Sequence, residues 1–514
     1  MGTRLAIKPT ALPARRGRWG LALLLVLVLF FAMFGGLLVA LFGMPAAALV
    51  VVVVGGVVMF MLPLRHVVGL MVLTAFLVVG QLVYFARIEK AFWIPFLFGF
   101  LLLLRLPAEL MHRRLEDTFQ APFRPHLNGW IIGCLVVYFA ALIGSTLINL
   151  NPPFQVLLSA REYFFIWGLY AVLASGLINP SLLARVWHWL PWLLPLQLPL
   201  VLYQRFVVAA RRTVVSLGSG SPWDAVVGAF GGDPNGGGAS GSMGLFVVFA
   251  MTLVTVRWRK GELRFSHWAL IMISGLGALL LAEVKFAVLM LPVVMAFAFR
   301  RELVLRPVAA AGMLIVVFGL TGAMFGLYKY QYSNSYVEQH FGGYSDLVLK
   351  GALDTSALGG ARTEMSRAAA VTFWYTQQTN MVDALIGHGM GATRKGVTAV
   401  GEVAARYPFT VARSSLAVLL WECGLIGCCA LMAALFAAYQ LAYRLSSDSR
   451  LVPSEQRLLV VVSAGIMLTA AELPYNTDLL YSAHMQILLM LLLAQVACSA
   501  GKITALRIRG RAVG

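Results

Sequence analysis

The chain has 514 residues, of which 60% are hydrophobic and 12% are charged, and its formal net charge is +19. A soluble globular protein carries about 25% charged residues, so the composition excludes a soluble protein and indicates an integral membrane protein. Basic residues lie mainly before the first apolar stretch, after the last one and beside those between, which argues against nucleic acid as a partner.

Apolar stretches long enough to cross a bilayer follow one another along most of the chain, since a crossing takes about 20 residues. The first follows a basic start and has no small-residue cleavage site, which indicates a permanent span. We predict an all-α polytopic integral membrane protein with about fourteen (12–14) transmembrane helices. These are expected near 19–42, 45–62, 67–86, 92–106, 130–150, 162–178, 186–203, 243–257, 266–282, 284–299, 307–327, 414–443, 457–472 and 479–499.

Basic residues are distributed unequally between the two sides of this layout. With both termini cytoplasmic, 25 of the 40 lysines and arginines lie inside and seven lie in short outer loops. This bias is typical of cytoplasmic loops. We therefore expect residues 1–327 to hold spans 1–11 and a glycine-rich outer loop at 204–242, residues 328–413 to form a long periplasmic loop, and residues 414–514 to hold the last spans and a basic cytoplasmic tail.

Outward-facing arginines form the first candidate site. They run against the positive-inside bias, and guanidinium groups bind phosphate through paired, charge-assisted hydrogen bonds. The alternative for each is contact with lipid headgroups. The set consists of Arg161 at the start of span six, Arg205 and Arg211 after span seven, Arg362, and Arg413 at the start of span twelve. A loop helix is expected at 362–378, with Arg367 and Trp374 on one face, as a cap over a lateral lipid entrance.

Glu283 and Lys285 interrupt an apolar run. Ionisable residues in membrane-embedded sequence usually face a cavity or a partner, and a substrate anion would suit Lys285. The alternative is a short, wet hairpin turn at the outer surface. The glycine-rich segment 219–243 allows close backbone approach to a sugar or phosphate, or it is a flexible loop.

A Gly-His-Gly-Met-Gly run at 387–391 places His388 in the long loop, where a histidine can act as a general base or serve the structure. Glu364 competes for the role of base, and so do Asp354, Glu402, His340 and Glu472. The sequence does not choose among them. All five cysteines lie in apolar segments, so neither a disulfide framework nor a zinc site is expected.

Several residues in order resemble the O-antigen polymerase and ligase superfamily, particularly Wzy-like exopolysaccharide polymerases. The long loop carries Arg362, then Trp374, then the glycine run 387–391, and the next span contains Glu422-Cys-Gly-Leu-Ile-Gly427. Glu283-Val-Lys285, Ala160-Arg161-Glu-Tyr163 and Phe230-Gly-Gly232 also resemble elements of exopolysaccharide polymerases. The resemblance covers roughly 150–430. Superfamily ligases typically place a His-Asn pair where this chain has Ala412-Arg413-Ser414-Ser415, which argues against a ligase.

The resemblance implies a metal-independent, GT-C-like glycosyltransferase in the bacterial inner membrane. It would join oligosaccharide repeat units carried on undecaprenyl diphosphate, with Arg362 and Arg413 stabilising the leaving diphosphate, Arg161, Arg205 and Lys285 in support, and no cofactor. A flippase and a chain-length regulator are expected partners by family analogy alone. The alternatives are a ligase-type glycan transferase, a lipid-linked glycan transporter or flippase, which should show paired interrupted helices, and a non-catalytic scaffold.

Overall fold

The computed structural model describes residues 55–116, 128–209, 225–234, 239–332, 365–378, 380–396 and 399–513. The chain divides into two units after Pro63. Of the first unit only 55–63 are described, with a helix at 55–61. The predicted span 19–42, most of 45–62, and three predicted site residues, Arg211, Arg362 and Glu364, lie outside the described residues.

The second unit is helical in its described residues, apart from turns, loops and isolated bridge residues such as the pair Lys395 and Val400. Its first eleven helices are α1 (Leu64–Tyr84), α2 (Trp93–Glu116), α3 (Gly129–Ile148), α4 (Pro153–Ala174), α5 (Pro180–Trp189), α6 (Leu193–Tyr203), α7 (Ser240–Arg259), α8 (Phe265–Ala282), α9 (Lys285–Ala298), α10 (Arg300–Leu305) and α11 (Pro307–Tyr332). The remainder are α12 (Arg367–Gln377), α13 (Met381–Ile386), α14 (Glu402–Arg406), α15 (Ser415–Glu422), α16 (Gly424–Leu445), α17 (Pro453–Glu472), α18 (Asp478–Tyr481) and α19 (Ala483–Val513).

Ten of these helices are long and apolar enough to cross a membrane: α1 to α4, α7, α8, α11, α16, α17 and α19. An all-helical, polytopic membrane protein is thus confirmed for the described residues. The segment containing α5 and α6 is divided by a 3₁₀ turn at Leu190–Trp192, and α9 has only 14 residues. Fourteen spans therefore stay a prediction.

Helices α7 and α19 form the core, since nearly all of their apolar residues are buried. Most other helices expose apolar side chains on one side, as expected of helices that contact lipid. Capping residues fix several helix starts: the side chains of Asn128, Asn179 and Ser414 each accept a backbone N–H from the first turn of the following helix.

The two ends of α7 lie in different surroundings about 30 Å apart, given 1.5 Å per residue over its 20 residues. At its first turn Ser242 binds Asp478, and at its last turn Arg259 lies 3.0 Å from Glu302. We call the end around Asp478 the loop end, and the end around Glu262, Glu302 and Glu455 the basic end.

Three sequence-based boundaries were wrong. The span predicted at 414–443 is broken at Cys423, because Gly424 adopts a φ of +64° and a side chain there would collide with the backbone of Leu385. Helix α4 begins at Pro153, two turns before its prediction, so Arg161 lies within a helix. The loop helix begins at Arg367 instead of Arg362, since Ser366 caps it by accepting the Ala369 amide at 3.0 Å.

Candidate functional site

The glycine run 387–391 forms a buried turn, with φ near +80° at Gly387, Gly389 and Gly391. Such angles favour glycine because a Cβ would clash with the backbone. From Gly387 to Arg394 every backbone N–H donates to an acceptor within the protein. The turn therefore has no free amide with which to hold a phosphate, and its role is to position its neighbours.

Amide side chains from the end of α3 and the start of α4 hold the other edge of the turn. Asn149 donates to the Gly387 carbonyl at 3.0 Å, Asn151 to the His388 carbonyl at 3.1 Å, and Gln155 to the Met390 carbonyl at 3.0 Å. Thr146 accepts the Met390 amide. The turn is thus fixed to the helix bundle through contacts that cross more than 230 positions of sequence.

The carboxylate of Glu422, with 1% of the residue exposed, completes the enclosure. One oxygen accepts the Tyr163 hydroxyl at 2.7 Å and the Gly391 amide at 2.8 Å. The other accepts the Thr393 amide at 3.1 Å and the Thr393 hydroxyl at 2.6 Å. A buried charge is stable only when it is fully hydrogen-bonded, and four donors provide this. Glu422 therefore joins the loop, α4 and the break between α15 and α16.

Directly after this turn, Arg394 enters a cluster with two residues of α4. Its guanidinium lies 3.2 Å from a carboxylate oxygen of Glu162, and Arg161 lies 2.9 Å from the same oxygen. Arg161 also stacks over the Trp93 ring at 4.2 Å. Residues 161–165 form a π-helical segment, a local widening of the helix that is frequent at functional sites. Two cations therefore share one buried carboxylate.

A cavity of about 430 Å³ opens beside this cluster at the loop end. Its walls carry two arginines, three carboxylates, three aromatic rings and a glycine pair. They are formed by Val83, Arg87, Glu89, Phe92, Phe96, Arg161, Gly231, Gly232, Asp233, Ala239, Asp478, Tyr481 and Ser482. Arg87 and Asp233 pair at 2.9 Å across an exposed edge. The cavity thus combines cations, a carboxylate wall and aromatic faces.

The glycine-rich segment enters the bundle beside the cavity. Residues 225–232 are all buried, although they are not membrane-spanning helix. Gln204 accepts the amides of Val227 and Gly228, and Gln197 accepts the amide of Ala229 at 2.6 Å. Irregular backbone at membrane depth is tolerated where protein covers it or it lines a cavity. For these residues the flexible-loop alternative is wrong.

Asp478 lines the same cavity as the glycine pair and caps α7. Its Oδ2 accepts the Ser242 amide at 2.8 Å, the Ser242 hydroxyl at 2.6 Å and the Asn476 side-chain amide at 2.9 Å. Burial raises the pKa of Asp478, while these hydrogen bonds act in the opposite direction. The carboxylate is thus held in place through one oxygen.

Other predicted site residues gather around Tyr475, on the same connection between α17 and α19 as Asp478. The guanidinium of Arg367 lies over the Tyr475 ring at 4.3 Å, and the ring stacks on Phe286 at 4.0 Å, next to Lys285. Arg413 donates to the Met365 carbonyl at 3.0 Å. The structure therefore brings Arg367 and Lys285 to one region of the loop end.

Glu283 is 4% exposed and has a φ of +54° at the end of α8. The chain reverses there, since the start of α9 approaches Gly244 of α7 and the end of α9 approaches Arg259. The reversal agrees with the predicted hairpin, but burial of Glu283 excludes the simply wet alternative for that residue. Arg205 lies in a second π-helical segment, Gln204–Val208, and is half-buried.

His388 and Trp374 are both buried in the described part of the long loop. Burial lowers the pKa of His388, whose ring lies 5.6 Å from that of Trp421. Neither residue lines the loop-end cavity. Their predicted roles as base and substrate contact stay predictions, while the surroundings of both are those of core residues.

Sequence reasoning did not select Arg87, Glu162, Arg394, Glu422 or Asp478 as site residues. Glu162 and Glu422 lie within segments that carry the family resemblance, so a sequence signal for both residues was present. Arg394 follows the glycine run at a short distance, which was the other available signal. Asp478 and its partner Ser242 in α7 are 236 positions apart, so no local sequence pattern indicates their contact.

Comparison with models of known protein families found no match to this chain, and comparison with curated proteins found none either.

Proposed function

We propose that the chain is a membrane glycosyltransferase that joins lipid-diphosphate-linked oligosaccharide units, and that the loop-end cavity is its active site. The observation that carries this proposal is the position of Arg161, which lines the cavity, stacks on Trp93 and shares Glu162 with Arg394. A preoriented guanidinium beside the bilayer suits a phosphate that must be held while its charge increases.

The proposed reaction displaces a lipid diphosphate. An acceptor sugar hydroxyl attacks the anomeric carbon of the donor, a new glycosidic C–O bond forms, and the bond from that carbon to the diphosphate oxygen breaks. The electron pair of the broken bond leaves with the lipid diphosphate, whose added negative charge Arg161 and Arg87 would stabilise. The step needs no metal or cofactor on the leaving group, because arginines supply the positive charge.

Other residues of the cavity suit the acceptor. Asp478 would take the hydroxyl proton, since it lines the cavity and Ser242 holds its carboxylate through one oxygen. Phe92 and Phe96 line the same space, and aromatic faces suit the apolar surface of a sugar ring. Tyr481 and Ser482 supply hydroxyl groups to the same cavity. The cavity would thus hold both substrates.

The wider context of the proposal comes from the family resemblance. On that resemblance, undecaprenyl diphosphate would be the carrier and a surface polysaccharide the product. The protein would lie in the bacterial inner membrane, with fourteen spans, a GT-C-like architecture and both termini cytoplasmic. A flippase and a chain-length regulator would be its partners. The buried Glu422 and the glycine turn support the proposed active site indirectly, because they fix Arg394 beside Glu162.

Purified protein with a lipid-diphosphate-linked repeat unit tests the proposal, with products read as a glycan ladder on a gel. Wild type should give a ladder, and Arg161→Gln should reduce its formation about a hundredfold or more, the usual effect of removing one charge-stabilising donor. Arg406→Gln is the matched control, because Arg406 pairs with Glu402 at an exposed position in α14, outside the cavity lining. No ladder from wild type, across several repeat units, would contradict the polymerase proposal.

A further inference from the structure

A second cavity, of about 310 Å³, lies at the basic end, far from the proposed active site. Helices α5, α7, α17 and α19 form it, together with the turn that contains Glu262. Because α7 runs from the loop end to this cavity, the two cavities are separated by roughly the length of that helix. The proposed glycosyl transfer does not use any residue of this second cavity.

The walls of the cavity carry three cations and two carboxylates. Arg257 and Arg457 share Glu262, while Lys502 lies 2.8 Å from Glu455. The histidine on the wall adds no charge, because His188 Nδ1 accepts a hydrogen bond from Arg257 at 2.9 Å and must be unprotonated to do so. One positive charge is therefore left over.

Donor groups at this cavity exceed the acceptors that the described residues provide. The Nε of Arg457 is buried and has no hydrogen-bond partner among the described residues. A guanidinium has five N–H donors, so Arg257 and Arg457 retain donors beyond those used by Glu262 and His188. An unpaired buried donor costs free energy until an acceptor reaches it.

The rest of the lining is apolar and runs from the charged residues toward the middle of the bundle. Leu183 and Trp187 of α5 and Leu253 of α7 are buried side chains on this wall, and Val256 and Leu458 continue it. Trp258 and Trp268 stack at 4.4 Å at the same end. Tryptophans are enriched at the membrane–water interface, a preference that supports a position of this cavity near the lipid headgroups.

We infer that this cavity binds an anionic phospholipid. The phosphodiester, with one negative charge, would meet Arg257, Arg457 and Lys502, and an acyl chain would follow the apolar wall. One net negative charge matches the single excess positive charge of the lining. A soluble phosphate ester shares the headgroup chemistry but makes no use of the apolar wall, so the lining favours the lipid.

The test compares thermal unfolding of the full chain in phosphatidylcholine nanodiscs with and without about 30% phosphatidylglycerol, whose anionic headgroups also give the bilayer a negative surface potential. Phosphatidylglycerol should raise the midpoint temperature of thermal unfolding of the wild-type protein. Arg457→Gln and Lys502→Gln should each lose at least half of that rise. Arg301→Gln, which removes the same charge at the same end but contacts Ser446 and lies outside the cavity, should keep it.

Two outcomes would overturn the inference. An equal rise in all four proteins would mean that the lipid acts through general surface charge. A rise with glycerol phosphate in phosphatidylcholine nanodiscs, equal to that with phosphatidylglycerol, would assign the site to a free phosphate ester. Two cavity variants are used because loss of one could disturb folding, and a monodisperse elution profile is required of each.

Discussion

The amide of Gly391 donates a 2.8 Å hydrogen bond to the carboxylate of Glu422, which lies 31 positions later in the chain. This contact joins the last glycine of the buried turn to the point where α15 ends and α16 begins. Through it the long loop becomes part of the helix bundle near Arg394, three residues further on. The geometry of the Arg394–Glu162–Arg161 cluster therefore depends on a residue that does not itself line the cavity.

Glu422→Gln should destabilise the protein by about 1–3 kcal/mol, the usual cost of leaving a buried donor unsatisfied. All four hydrogen bonds to the carboxylate come from donors, so an NH₂ group must face at least one of them. Thermal unfolding in detergent measures the change. Glu402→Gln is the control, because that side chain is half exposed and should change stability by less than about 0.5 kcal/mol. Equal stability of the two variants would contradict the assigned role of Glu422.

Gly387→Ala should lower the unfolding midpoint more than Gly261→Ala. Both glycines have a positive φ, +84° and +74°, so both substitutions introduce backbone strain of about 1–3 kcal/mol. A Cβ at Gly387 would also meet the backbone of Glu422 at 2.8 Å, whereas nothing lies within 4 Å of one at Gly261. Comparison of the two variants separates the effect of the steric clash at Gly387 from that of the backbone strain common to both. Equal losses of stability would show that the close approach of the Glu422 backbone to Gly387 does not affect stability.

The sequence was sufficient for most of the apolar helices, while the sidedness of the loops stays a prediction. Apolar runs near 20 residues and basic flanks are local patterns, and so is the reversal at Glu283–Lys285. The predicted start of α4 was too late in the chain. Gln155 and Ser159, which precede the predicted start, are buried within the helix, and the polar end of Gln155 binds the glycine turn. The helix therefore continues outward past Arg161.

The cavity could not be predicted, because its walls come from distant segments. Arg161 and Arg394 meet through Glu162 across 232 positions, and Asp478 reaches Ser242 across 236. Neither pair has a spacing that a helix or turn would explain. The π-helical segment at Arg161 also has no simple sequence signal, although it turns the arginine toward Trp93.

Asp478→Asn should lower glycan ladder formation at pH 7 by about a hundredfold while leaving lipid-diphosphate binding within about twofold, because general-base catalysis contributes about 10²–10⁴. Asparagine retains an oxygen that can accept the Ser242 amide, so α7 keeps its cap. Asp383→Asn, in α13 and away from the cavity lining, is the control. Unchanged ladder formation in the Asp478 variant would rule it out as the base.

Activity should also fall at acidic pH as Asp478 becomes protonated. Burial raises the pKa of Asp478 above its ordinary value, so the fall should begin at a higher pH than for an exposed aspartate. Glu472 of α17 interacts electrostatically with Asp478, and the cavity that Asp478 lines also carries the charged residues Arg87, Glu89, Arg161 and Asp233. Rates of wild type between about pH 4 and 8, a range that starts near the ordinary aspartate pKa of about 3.9 and extends above it, measure the profile. A flat profile would contradict the assignment.

The central claim is that the loop-end cavity holds a lipid diphosphate through Arg161. The most direct measurement is the affinity of the purified protein for undecaprenyl diphosphate without sugar, for wild type, Arg161→Gln and Arg406→Gln. We expect the affinity to fall about tenfold or more in Arg161→Gln, which corresponds to about 1.4 kcal/mol. The affinity of Arg406→Gln should be unchanged. Equal affinity of all three proteins would contradict the claim and remove the diphosphate from this cavity.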